Sequence, residues 1–172
     1  GIGGIGMSAI AQVLHKKGFK ISGSDLSQNP IVKKLKKKMK IFSSHNSDNI
    51  NNADIIVYSS AIKKNNIELL EAKKLKIPVF SRAMMLAQVM RIKSSITVAG
   101  SHGKTTTTSL IASIFENSGM DPTILSGGII NSLEINAKLG KGEWIVAEAD
   151  ESDGSFVFLP STIGVINNID FE

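Results

Sequence analysis

Two glycines, a lysine and a threonine are set close together in Gly100-Ser101-His102-Gly103-Lys104-Thr105. This grouping suits a nucleotide triphosphate. Glycines let successive backbone N–H groups turn inward around phosphate oxygens. Lys104 offers a point charge to the terminal phosphates, and the Thr105 hydroxyl can meet Mg²⁺. Thr106 continues the run of hydroxyls. The loop is shorter than the general phosphate loop, whose first glycine would fall at Val98. A glycine turn capped by Ser and Thr is the plainer reading. The apolar residues before the loop and the Lys-Thr pair within it favour phosphate.

A second glycine group opens the chain. Gly1, Gly3 and Gly6 have the dinucleotide-binding spacing. Asp25 stands about twenty residues on, where an acid meets a ribose hydroxyl; a turn or capping aspartate before Pro30 is the alternative. Ser59 and Ser60 follow an apolar run and could contact a ligand or cap a turn. Arg82 could pair with a phosphate or carboxylate, or be solvated. Glu148 opens an acidic run after Trp144–Ala147. A carboxylate there, beside a phosphate loop, is where a Mg²⁺ ligand belongs; an acidic surface turn is the competing reading. Gly127-Gly128 could turn the chain or approach a ligand closely. His15 and His45 lack partners at metal-ligand spacing and read as structural or solvated.

These residues need a scaffold of alternating strands and helices. Helices are expected at Met7–Lys17, Pro30–Lys38, 67–75, Arg82–Met90 and from Lys104 to about Asn117. The last should set Leu110, Ile111, Ile114 and Phe115 on one face. Strands are expected at Phe19–Ser22, Lys40–Phe42, Ala53–Tyr58, 77–80, Ile96–Ala99, Thr123–Leu125, Glu143–Ala147 and Thr162–Ile166, with Ala53–Tyr58 buried. Met84, Met85 and Met90 read as core. The fold class is α/β. A Rossmann-like parallel-sheet domain spans 1–93, with a linker near Arg91–Ser95, and part of a P-loop ATP-binding α/β domain spans 94–172. The strand that should precede Gly1 is absent, so the chain reads as a fragment.

The 172 residues carry a net charge of +5, with no cysteine. Disulfides and thiolate metal sites are thereby excluded. The lysine-rich stretch Lys33–Lys40 reads as the solvated side of a helix, with Ile31, Leu35 and Met39 turned inward. It lacks the aromatics or module of a nucleic-acid site. No apolar run reaches membrane-spanning length and no secretory leader is visible, so a cytoplasmic location without membrane insertion is expected. Oligomeric state is left open.

The segments 1–8, Ser22–Asp25, Ser59–Ile62, Gly100–Ser109, Asn136–Gly140 and Val146–Phe156 together resemble the Mur ligase family, in the expected order and across nearly the whole chain. Ser101 stands where the family more often has Thr. The resemblance implies a three-domain cytoplasmic enzyme of peptidoglycan synthesis that uses ATP and Mg²⁺. It would join L-alanine to the lactyl carboxylate of UDP-N-acetylmuramate. It assigns the loop Gly100, Ser101, His102, Gly103, Lys104, Thr105 and Thr106 to ATP, and Thr105 and Glu148 to Mg²⁺. Gly3, Gly4, Ile5, Asp25 and Ser60 go to the UDP-sugar. The side-chain role of His102 is open. A further metal-binding His would lie just beyond Glu172, the third domain would be missing, and the fragment alone would be inactive. The other reading is an NAD-type dinucleotide module with a structural P-loop-like second half.

Overall fold

A computed structural model of the chain describes residues 1–130, 135–149 and 159–170. The chain divides into two compact units, Gly1–Met85 and Leu86–Glu172.

The first unit runs α1 (Ile5–Lys16), β1 (Ser22–Ser24), α2 (Pro30–Lys36), β2 (Lys40–Phe42), β3 (Ile56–Tyr58), α3 (Ile67–Lys74), β4 (Val79–Ser81) and the start of α4 (Arg82–Met90). Gly18, at φ 94°, follows the end of α1, a backbone angle that suits glycine. Asn29 caps α2 by accepting the Val32 N–H, and Pro30 fits the first turn, where no intrahelical donor is needed. The lysines of α2 face solvent while Leu35 and Met39 join Ile2 and Ala11 in a core, flanked by Ile21, Ile31 and Ile41. Burial of these apolar groups, at about 25 cal/mol per Å², is what holds the helix down.

The strands of this unit are parallel, as expected, and form two pairs, β1–β2 and β3–β4. β3 is short and half-buried instead of fully buried. β1 begins at Ser22, not Phe19, and Phe19 is exposed. Met85 and Met90 are buried as expected, but Met84 faces out.

The second unit contains β5 (Ser94–Ala99), α5 (Lys104–Asn117), β6 (Thr123–Ile130), β7 (Ile135–Lys138), β8 (Trp144–Glu148) and β9 (Ile163–Ile166). The sheet order is β7-β6-β8-β5-β9, parallel except for the antiparallel β6–β7 pair. Gly127 and Gly128 do not end β6; the strand runs through them with a register shift between Leu125 and Ile130. α5 turns Thr108 and Ala112 to the sheet, while Leu110 and Ile114 are exposed. The buried side of this helix is thus smaller and more polar than its apolar pattern implied. Phe115 instead meets Trp144 edge-on, with ring centroids 5.6 Å apart.

Lys93 anchors the entry to β5. Its ammonium donates to Thr123 Oγ1 and to the carbonyls of Gly140 and Gly142. β5 itself is buried from Ser95 to Val98, and its polar side chains are satisfied: Ser95 Oγ donates to Pro160 O and Thr97 Oγ1 to Ser161 Oγ.

Candidate functional site

The chain leaving β5 goes by α5 toward β6, whereas the chain leaving β8 goes to β9 on the other side of β5. Their carboxyl ends therefore flank a reversal of strand order, the place where open α/β sheets receive ligands. The loop Gly100–Gly103 leaves β5 at this point. Gly100 (φ 139°) and Gly103 (φ 79°) both hold angles that a side chain disfavours. Gly103 is the N-cap of α5, so the N–H groups of the first turn that follow it have no intrahelical acceptor. These donors and the helix dipole make an anion site. Lys104 folds back over the loop, its Nζ 2.6 Å from Gly100 O and 3.5 Å from Ser101 O. Thr105 is half-buried and Thr106 exposed in the same turn.

Glu148 closes β8 rather than following it, and pairs in register with Val98 of β5. Its Oε1 accepts the hydroxyl of Ser126, a buried residue of β6, at 2.8 Å. Ser126 was not evident from sequence; the contact is made across neighbouring strands. Among the described residues no three His, Cys, Asp or Glu side chains gather into a metal cluster. One carboxylate and one hydroxyl are an all-oxygen set. That fits Mg²⁺, which keeps phosphate oxygens and water as its remaining ligands. Asp150, Glu151, Asp153 and the rest of the run to Phe156 lie outside the described residues.

On the other side of β5, the end of β9 supplies two asparagines that sequence reading did not single out. Asn168 Oδ1 accepts the His102 N–H at 3.0 Å, and its Nδ2 donates to His102 O at 3.1 Å. Asn167 Nδ2 donates to the same carbonyl at 3.2 Å. The His102 side chain is exposed, with Nε2 3.8 Å from Asp170 Oδ2.

In the first unit, Gly3 N donates to Asp25 Oδ2 at 2.7 Å and Asn29 Nδ2 donates to Gly3 O at 3.1 Å. Ser27 N donates to the other Asp25 oxygen at 2.8 Å. Burial raises the Asp25 carboxyl, but these two backbone donors, the Ser27 side chain and the Gly1 ammonium together hold the group below its ordinary value. Gly4 is the exposed N-cap of α1 and Ile5 its first residue. The guanidinium of Arg82 lies over this turn: a carbon added to Gly6 would stand 3.0 Å from Arg82 Nη1. Ser60 is exposed in the turn after β3, next to Ser59, which lies against Gly1. Gly3, Gly4, Ile5 and Asp25 are thus assembled around one helix start.

Of the two readings of His45, structural or solvated, the structure shows the structural one. The His45 Nδ1 is 3.1 Å from Glu68 Oε2, and both side chains are largely buried. Glu68 also accepts from Ser24 Oγ at 2.7 Å and Asn49 Nδ2 at 2.8 Å. The cluster ties the end of β1 to α3.

Two family descriptions match the chain: "Mur ligase family, catalytic domain" over residues 1–94 and "Mur ligase middle domain" over 98–172. The chain belongs to the Mur ligase family. It is 54% identical over its whole length to the UDP-N-acetylmuramate–L-alanine ligase of Rickettsia bellii, covering 36% of that protein, and 54% identical to that of Parvibaculum lavamentivorans, covering 35%. Among solved structures, the UDP-N-acetylmuramate-alanine ligase of Thermotoga maritima superposes with a TM-score of 0.89 at 31% identity, over 98% of this chain and 40% of the other. This Mur ligase chain thus spans little more than a third of the length of the curated relatives it matches. No helix among the described residues is long and apolar enough to cross a membrane.

Proposed function

We propose that this chain is the nucleotide-handling part of an ATP-dependent ligase that joins L-alanine to the lactyl carboxylate of UDP-N-acetylmuramate in the cytoplasm. Residues 1–93 would bind the UDP-sugar and residues 94–172 would form part of the ATP-binding domain. The observation that carries the reading is the convergence of the Lys104 loop and Glu148 on adjacent strand ends.

A carboxylate is a poor acyl donor, so amide formation needs a leaving group. Attack of the lactyl carboxylate on the γ-phosphorus forms a new oxygen–phosphorus bond and releases ADP. The amine of L-alanine then adds to the acyl phosphate carbonyl and expels inorganic phosphate, losing a proton. The protein's part is positioning and charge stabilisation. The first-turn N–H groups of α5 hold phosphate oxygens, and Lys104 swings from its loop carbonyls to the β- and γ-phosphates. Thr105 and Glu148 would hold Mg²⁺, which supplies charge neutralisation on the phosphates when bound. Ser126 keeps one Glu148 oxygen oriented. Gly3, Gly4, Ile5 and Ser60 contact the UDP-sugar, with Arg82 beside its diphosphate and Asp25 toward its ribose.

The test is ADP release by the full-length protein. Release is expected only when UDP-N-acetylmuramate and L-alanine are both present. Equal release with another amino acid in place of L-alanine would remove the amine assignment, and ADP release without any UDP-sugar would remove the acceptor.

A further inference from the structure

The side-chain amide of Asn168 pairs with both polar atoms of residue 102, accepting from its N–H and donating to its C=O. This is the pairing one strand residue makes with another, built from a side chain. Asn167 adds a second donor to the same carbonyl. Room for the clamp exists because the loop has glycines on either side. A carbon on Gly100 would stand 3.1 Å from Asn167 Cβ and 3.2 Å from Asn168 Oδ1, and one on Gly103 would stand 3.1 Å from Asn167 Nδ2. Asn29 and Asp25 do the same to Gly3 in the first unit, taking its C=O and N–H respectively.

The consequence is specific. A backbone N–H has one proton to give, and that of His102 is already given to Asn168. We propose that Asn168 is a positioning residue for the nucleoside triphosphate. It fixes the His102 peptide facing away from the ligand, so the phosphates are received by the N–H groups of Lys104, Thr105 and Thr106 in the first turn of α5. The role of the two glycines is then to admit the clamp as well as the phosphate. The loop is held in its binding shape before ATP arrives, which lowers the ordering cost of binding. This inference rests on the reading of the loop as a triphosphate site.

The experiment compares the full-length protein with Asn168→Ala and Asn168→Asp, using calorimetric ATP titration and residue-resolved amide hydrogen exchange at His102. In the wild type the His102 N–H is expected to exchange slowly, both free and with ATP bound. Asn168→Ala should lose that protection and bind ATP about tenfold more weakly, the loss of one or two hydrogen bonds. Its affinity for UDP-N-acetylmuramate should stay unchanged, which a general structural role would not allow. Asn168→Asp keeps the acceptor but loses the donor, so His102 should stay protected while ATP affinity still falls; this variant carries the test if the alanine variant does not fold. Unchanged ATP affinity in a folded variant, or His102 protection that ATP removes in the wild type, would overturn the proposal. A wild-type protein that binds no ATP would instead overturn the reading of the loop itself, and the proposal with it.

Discussion

Gly3 gives its backbone N–H to Asp25 across 22 residues of sequence, at 2.7 Å. The contact fixes the start of α1 and leaves the Asp25 carboxylate satisfied. It also makes a pH prediction. Burial works against the charged form, but donors from Ser27 and Gly3 together with the Gly1 ammonium outweigh it, so the folded pKa lies below the unfolded one. Such a group stabilises the fold fully above its unfolded pKa, about 3.9, and the contribution is lost as pH falls through the lower folded value. Thermal melts from neutral to acid pH should show an acid limb in the wild type that Asp25→Asn reduces. Parallel curves for the two proteins would refute the assignment.

The same contact limits what Gly3 can become. An added carbon would overlap Val32 Cγ2 and lie 2.9 Å from Asp25 Oδ2. Gly3→Ala should destabilise by about 1–3 kcal/mol. It should also weaken UDP-N-acetylmuramate binding at least tenfold in calorimetry while ATP binding persists. A neutral effect on the sugar nucleotide would detach Gly3 from that site.

Lys104 is the cation assigned to the transferring phosphates. Lys104→Ala in the full-length protein should reduce turnover by about a thousandfold, the scale for removing a group that stabilises transition-state charge. UDP-sugar affinity should change less than twofold. Steady-state kinetics beside a binding isotherm separates the two, and near-normal turnover would exclude Lys104 from the chemistry.

Thr108 is fully buried on α5, and its hydroxyl has no hydrogen-bond partner among the described residues. Removing an unsatisfied hydroxyl while keeping the shape should stabilise, so Thr108→Val is expected to gain about 1 kcal/mol. Chemical denaturation would read this as a higher midpoint at constant slope. A loss of stability would mean that the hydroxyl is engaged.

Local pattern made much of this legible. The loop from Gly100 to Thr105, the strand before it and the helix after it are contiguous, so spacing alone suggested an anion site. Glu148 was legible from the apolar run that ends in it. The partners that shape those groups were not. Asn168 reaches His102 across 66 residues and Ser126 reaches Glu148 across 22, and strand order, which decides such neighbours, is not written in either segment. The partner of His45 was hidden for the same reason: Glu68 is 23 residues away and meets it only through the fold. Leu110 and Ile114 misled because apolar spacing gives a helix face but not what covers it; Thr108 and Ala112 meet the sheet instead.

In the proposed reaction the lactyl carboxylate is activated as an acyl phosphate. Heavy-oxygen label in that carboxylate follows it directly. In the full-length protein with ATP and L-alanine, one labelled oxygen should appear in inorganic phosphate for each amide bond formed. Amide formation with unlabelled phosphate would exclude the acyl phosphate.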